Sequence, residues 1–261
     1  VMRADILEKA IQKLIKKTEK SPLIYLSPRG RPFSQKKAQK FASELKVPHA
    51  FKGYEEAIKS GKADVVYIGT PVSEHLNHSL LCIEAGIPIL VEKPFATNEL
   101  EARKISQAAK SKSVFAMEAM WTRFLPAAQE LKTMIDKGTI GEARLLSANF
   151  GYSKSINQSN KKEKLNIGEG CIAQLGVYPL SLAQWIFGSP KLVQAMGTLN
   201  SSGIDDDAAF QLRYPCGVIG AFYSSLRSWA PNDFHIMGTN GKLSFNGPIV
   251  RPYGLTIGPL K

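Results

Sequence analysis

Cysteine is scarce in this chain of 261 residues: Cys82, Cys171 and Cys216 are odd in number, far apart and outside any Cys-x-x-Cys pair. That excludes a disulfide framework or a thiolate zinc site and points to a reducing compartment. No metal site is expected. No run of 18 apolar residues occurs, which excludes a membrane-spanning helix. The first residues are charged within five positions and carry no apolar signal core, so the expected location is the cytoplasm. Internal repeats and low-complexity tracts are missing, and so is a Gly-x-Gly-x-x-Gly loop, the first glycine being Gly30. What remains is 44% hydrophobic and 21% charged, the composition of a globular protein with a real core. The length fits one large domain or two small ones.

Acidic residues are also short, with 22 Asp and Glu against 34 Lys and Arg for a formal net charge of +12. Residues 1–62 alone hold 15 bases and 6 acids. Such a segment serves either as a solvated helix face or as a surface for an anionic partner. Nucleic acid is a poor fit, because the bases are neither interleaved with aromatics nor set in a reading motif.

The hydrophobic spacing gives two grammars. Residues 5–20 place Ile6, Leu7, Ala10, Ile11, Leu14 and Ile15 on one helical stripe. A strand at 23–26 ends in Ser27-Pro28-Arg29-Gly30-Arg31-Pro32, and a helix over 34–46 follows with Ser34 as its cap. A short helix at 55–60 leads to Val65-Val66-Tyr67-Ile68, a continuous apolar run of the kind buried on both faces of a parallel sheet. Helix 74–85, strand 89–91, helix 98–110 and strand 114–117 complete a βαβ alternation. After a helix over 125–137, β segments dominate at 143–152, 192–199, 208–214, 217–225, 234–237 and 242–245. One helix, 171–187, interrupts them. Pro215-Cys216-Gly217 and Thr239-Asn240-Gly241 read as hairpin turns. The expected fold is an α/β domain with a parallel sheet, residues 1–122, then an α+β domain with a large, mostly antiparallel open sheet, residues 123–261. An open sheet with one bare apolar face predicts a homodimer through that face.

Ligands of open parallel sheets bind beyond the carboxyl ends of the strands. Two such ends carry chemistry: Thr70-Pro71-Val72-Ser73-Glu74-His75, and Glu92-Lys93-Pro94-Phe95. A lysine closing an apolar strand either polarises a substrate oxygen or simply reaches water. The residues alone leave both open.

Thr70-Pro71-x-x-x-His75, Glu92-Lys93-Pro94-Phe95-Ala96-Thr97-Asn98, Glu118-Ala119-Met120-Trp121-Thr122-Arg123-Phe124, Gly176-Val177-Tyr178-Pro179 and Gly238-Thr239-Asn240-Gly241 stand in one register. In that order they resemble the Gfo/Idh/MocA oxidoreductases, most closely the branch of dihydrodiol and NADP-dependent sugar dehydrogenases. The resemblance runs from about Leu23 to Pro259. It implies a Rossmann-type dinucleotide-binding domain, a second domain for substrate binding and dimerisation, and a nicotinamide at their junction. It further implies hydride transfer between NAD(P) and a hydroxyl or carbonyl of a sugar, polyol or cyclic diol. By the same resemblance Lys93 lies near the nicotinamide ribose and the reacting oxygen, and Tyr178 is the general acid/base. Thr70, Pro71, His75 and Glu92 line the cofactor. Trp121 and Arg123 border the cofactor site, and Trp121 and Phe150 the substrate pocket. A phenol ordinarily ionises near pH 10, so a cation beside Tyr178 eases its deprotonation. At the end of the second Rossmann strand NAD enzymes place an acid and NADP enzymes an Arg. Here Ser27, Arg29 and Arg31 supply no acid and two guanidinium groups, whose planar forks suit a phosphate. NADP is therefore expected ahead of NAD.

Three features depart from that pattern. The opening strand and glycine loop that cradle the pyrophosphate are missing, so the sequence is either a piece of a longer chain or that of a protein without normal cofactor binding. The chain is short at its carboxyl end for the family. The aspartate of the family's Gly-Gly-Gly-Ala-Leu-Leu-Asp-x-Gly-x-Tyr pattern is Gln174 in Gly168-Glu169-Gly170-Cys171-Ile172-Ala173-Gln174-Leu175-Gly176-Val177-Tyr178. An amide positions a hydroxyl but accepts no proton. The alternative to an enzyme is thus a catalytically weak binding or structural member of the family that keeps the two-domain shell.

Overall fold

The computed structural model describes residues 23–26, 35–45, 49–153 and 168–259. The helix expected over 5–20, and Ser27, Arg29 and Arg31, lie outside these residues. The chain divides into two compact units, Val1–Ala119 and Met120–Lys261.

The first unit alternates strand and helix: β1 (Leu23–Leu26), α1 (Gln35–Leu45), α2 (Tyr54–Lys59), β2 (Val65–Ile68), α3 (His75–Glu84), β3 (Ile89–Val91), α4 (Glu99–Ser111) and β4 (Ala116–Glu118). Among the described residues the four strands are parallel in the order β1-β2-β3-β4. Neighbouring residues of a strand face opposite sides, and Val66, Tyr67 and Ile68 are all buried. Both faces of the sheet are therefore covered, which is why the run is apolar without alternation. Ile58, Ile83 and Ile105, from the three helices α2, α3 and α4, pack with Val66, Ile68, Ile89 and Val91 in one core. Asn98 caps α4 by accepting the Glu101 N–H at 3.0 Å, and Glu99 and Glu101 suit the positive end of its dipole. Strand β4 starts two residues later than the spacing predicts. The Val114 N–H closes the end of α4 on the Ala109 carbonyl at 2.9 Å, so ladder pairing waits until Ala116.

The second unit holds α5 (Pro126–Asp136), β5 (Ala143–Gly151), α6 (Val177–Phe187), β6 (Leu192–Leu199), β7 (Asp205–Arg213), β8 (Ile219–Ser225), β9 (Phe234–Gly238), β10 (Lys242–Asn246) and β11 (Gly254–Ile257). Among the described residues its seven strands run β11-β10-β9-β5-β8-β7-β6, antiparallel except for the β5–β8 pair. One face packs Leu146, Ala148, Phe210, Phe222, Phe234 and Ile236 with Leu131 of α5 and Leu182 of α6. The other leaves Leu145, Ile219, Tyr223 and, on edge strand β6, Met196 exposed, the last at 77%. Strand β7 begins at Asp205, earlier than its sequence suggests. Asp207 is accommodated because its carboxylate accepts hydroxyls from Ser225 (2.6 Å) and Thr198 (2.8 Å). Strand β11, four residues between a Pro-rich turn and Gly258, was not expected and pairs with β10. The expected helix 171–187 opens as a π-helical turn, Ile172–Gly176, before α6. Among the described residues no helix is long and apolar enough to cross a membrane, and no group of three or more His, Cys, Asp or Glu could hold a metal ion.

Candidate active site

In the first unit the parallel pairing of β2 and β3 sets their carboxyl ends side by side, with the Glu92 N–H on the Ile68 carbonyl at 2.8 Å. His75, the first residue of α3, is 1% exposed and bridges the two ends. Its Nε2 lies 2.9 Å from the Thr70 carbonyl oxygen and its Nδ1 3.0 Å from that of Pro94. Carbonyls only accept, so both contacts become hydrogen bonds only in the imidazolium. Burial opposes that charge and draws the His75 pKa below its ordinary value, although the carbonyls and Glu92 work the other way. Thr70 Oγ1 in turn lies 3.0 Å from His78 Nδ1.

Lys93 sits just past β3 and is 7% exposed. Burial pulls its ammonium down from 10.5 to about 8, against the pull of Glu92 and Glu118. Both carboxylates also hold backbone around it. Glu92 accepts the Tyr67 hydroxyl on Oε1 and the Lys93 N–H on Oε2 at 3.0 Å. Glu118 accepts the Phe95 N–H at 3.0 Å. The Lys93–Pro94 peptide is cis. A lysine near pH 8 can act both as a cation and as a proton carrier at ordinary pH.

In the second unit Tyr178, the second residue of α6, is 4% exposed in an aromatic slot. Trp121 meets its ring edge-on at 6.3 Å between centroids and Phe150 of β5 at 5.6 Å. Trp121 belongs to a 3-10 turn, Trp121–Phe124. Arg123 of the same turn donates from Nε to Ser181 Oγ (2.8 Å) and from Nη2 to the Ser181 carbonyl (3.0 Å). Gln174, in the π-helical turn, donates from Nε2 to the Gly168 carbonyl at 2.8 Å. Cys171 is fully buried, with its thiol pushed up to about 12, chiefly by burial. It is a packing residue.

Thr70, Pro71, His75, Glu92 and Lys93 thus gather at adjacent strand ends, and Trp121, Phe150 and Tyr178 form one aromatic cluster. The structure adds Tyr67, Glu118 and Ser181, to none of which the sequence assigns a role. Tyr67 is the one polar residue of an otherwise aliphatic strand, which is a signal. Ser181 carried none, because its partner stands 58 residues away.

A family of oxidoreductases with an NAD-binding Rossmann fold matches residues 32–120. The GFO/IDH/MocA C-terminal domain matches residues 128–244. The chain is 36% identical over 207 residues to trans-1,2-dihydrobenzene-1,2-diol dehydrogenase of Mus musculus, covering 78% of this chain and 62% of that one. It is 33% identical over 224 residues to the Oryctolagus cuniculus enzyme of the same name, covering 85% and 68%. Three solved structures share the fold. An NAD binding oxidoreductase from Klebsiella pneumoniae has a TM-score of 0.81 at 24% identity, covering 96% of this chain and 70% of that chain. A 3-ketoreductase from Actinomadura kijaniata in complex with NADP has 0.77 at 19%, covering 98% and 82%. Levoglucosan dehydrogenase in complex with NADH and levoglucosan has 0.74 at 23%, covering 82% and 62%. Fold and matches together place the chain in a family of oxidoreductases with a Rossmann fold. The chain belongs to the GFO/IDH/MocA family, and it spans about two thirds of the length of the curated relatives named.

Proposed function

We propose that this protein is an NAD(P)-dependent oxidoreductase that transfers a hydride to or from a hydroxyl or carbonyl of a sugar, polyol or cyclic diol. The observation that carries this reading is Lys93, buried just past the end of β3 between Glu92 and Glu118, where an ammonium can stabilise charge on oxygen. The residues fit a dinucleotide by their chemistry: Thr70, Pro71, Glu92 and Lys93 would line the nicotinamide ribose. His75 would sit between the two strand-end loops, donating to one of their carbonyls when neutral. The nicotinamide, when bound, accepts or supplies the hydride. Tyr178 gives or takes the hydroxyl proton, Lys93 offsets charge growing on the oxygen, and Trp121 and Phe150 keep water from the phenol. Substrate contacts fall to Trp121 and Phe150, with Gln174 orienting a hydroxyl. Ser27, Arg29 and Arg31 make NADP the preferred form, and replacing both arginines should weaken NADPH binding more than NADH binding. The exposed face that carries Leu145, Ile219, Tyr223 and Met196 is the homodimer surface, and a cytoplasmic location fits the thiols.

One observation favours a second reading. Gln174 is tied to the Gly168 carbonyl, as a structural amide would be, which suits a catalytically weak binding member of the family. Single-turnover hydride transfer by the full-length protein separates the two, followed by NADPH absorbance against sugars, polyols and cyclic diols. Tyr178→Phe and Lys93→Met should each lose about 10²-fold or more in turnover. Wild-type turnover by Tyr178→Phe on a good substrate would refute the mechanism.

A further inference from the structure

The 3-10 turn Trp121–Phe124 grips α6 at two successive levels, and the grip falls on the helical turn that carries Tyr178. At the first level Trp121 packs edge-on against the Tyr178 ring. At the second, three residues or about 4.5 Å of helix rise further on, Arg123 meets Ser181. Two N–H groups of one guanidinium reach two different oxygens of one residue, the hydroxyl and the main-chain carbonyl. Because the guanidinium is planar and its donors are fixed in a fork, two bonds set its plane as well as its position. The turn is itself anchored, since the Arg123 carbonyl accepts from Gln129 Nε2 of α5 at 2.5 Å and the Arg123 N–H donates to the Met120 carbonyl at 3.2 Å. Ser181 is buried and Arg123 half-buried, so the two bonds are partly shielded from water, which strengthens a charge-assisted pair.

We infer that Arg123 and Ser181 are positioning residues for the reaction proposed above, fixing α6 against the Trp121 turn so that the Tyr178 hydroxyl is presented in one orientation. The inference rests on that reading of Tyr178. It assigns Arg123 a task within its own unit in place of direct contact with the cofactor. Small displacements of a proton-transferring group are costly, an error of 1 Å reaching about 10²-fold in rate.

The test uses the full-length protein and single-turnover hydride transfer. Arg123→Met should lower the rate of the chemical step about tenfold or more and change cofactor and substrate affinity less than about twofold. Arg123→Lys keeps the charge without the fork and should recover only part of the rate. Ser181→Ala leaves the carbonyl acceptor in place and should show a smaller loss of the same kind. The decisive measurement is the double variant Arg123→Met with Tyr178→Phe, which should be no slower than Tyr178→Phe alone, because Arg123 acts through the phenol. Losses that multiply in the double variant overturn the inference. So does an Arg123→Met variant that keeps its turnover but loses cofactor affinity, or an Arg123→Lys variant that behaves as wild type. If Arg123→Met does not fold, as judged by its thermal transition, Ser181→Ala combined with Tyr178→Phe supplies the same comparison. Should Tyr178→Phe itself turn over normally, the proposed mechanism fails. Should only the Arg123 and Ser181 variants do so, the mechanism stands and the positioning role is refuted.

Discussion

The phenol of Tyr67 donates to Glu92, and the other oxygen of the same carboxylate accepts the Lys93 backbone N–H. Glu92 is therefore fixed from two sides, directly before the lysine whose charge it supports. Without Glu92 and Glu118 the buried ammonium would fall further below its ordinary value, since both carboxylates raise it.

A stability prediction follows from the displacement of Lys93 from 10.5 to about 8, equivalent to about 3 kcal/mol. Below about pH 8 folded and unfolded chains both carry the proton, and folding bears the cost of the buried charge. Between about pH 8 and 10.5 the unfolded chain retains a proton that the folded chain has released, so stability rises with pH across that window. Lys93→Met should exceed the wild type in urea resistance at pH 7 by up to about 3 kcal/mol, with the gap closing by pH 10.5. A difference that does not vary with pH would show that Lys93 is charged without penalty. Glu92→Gln should move the window to lower pH.

Thiol reactivity should separate the three cysteines. Cys82 and Cys171 are buried, and both thiols are pushed up to about 12 by burial. Cys216 is exposed on the β7–β8 hairpin. Since the thiolate is the reactive form, a chromogenic disulfide reagent should modify one thiol per chain quickly in the native protein and three in denaturant. Fast modification of Cys171 would contradict its packing role.

Gly170 is fixed by an acid. A Cβ there would lie 1.8 Å from Asp205 Oδ1, while Asp205 Oδ2 accepts the Ile172 N–H at 2.7 Å and so closes the start of the π-helical turn. Gly170→Ala must displace the carboxylate and should cost about 1–3 kcal/mol. In Gly254→Ala the nearest atom stands at an ordinary 3.6 Å, so a change within about 0.5 kcal/mol is expected. Equal urea midpoints for the two variants would remove the steric argument.

Gln174→Asp exchanges the amide that serves the Gly168 carbonyl for a carboxylate that repels it. Stability should fall by about 1 kcal/mol, and the pH–rate profile should gain a limb from the new acid. An unchanged profile would show that residue 174 only braces the turn.

Residues 65–68 and 89–91 become strands at the expected bounds because a short apolar run covered on both faces has one way to be buried. The site residues at the ends of those strands follow from the same fact. Trp121 and Tyr178 stand in the sequence motifs and Phe150 in none, and only packing shows that the three rings touch. Strand β11 was hidden by its shortness, and the early start of β7 by aspartates whose partners, Ser225 and Thr198, are distant in sequence.

The sequence by itself determined the alternation of elements, the change from a parallel to a mostly antiparallel sheet, and which residue types stand at the strand ends. Each of these depends on local periodicity and on neighbours a few positions apart. Only the tertiary structure decided that β5 pairs in parallel with β8, that burial brings Lys93 to about pH 8, that His75 bridges two loops and that the Arg123 fork closes on Ser181. Desolvation and hydrogen bonding act through space, and no spacing along the chain encodes which surfaces will exclude water together.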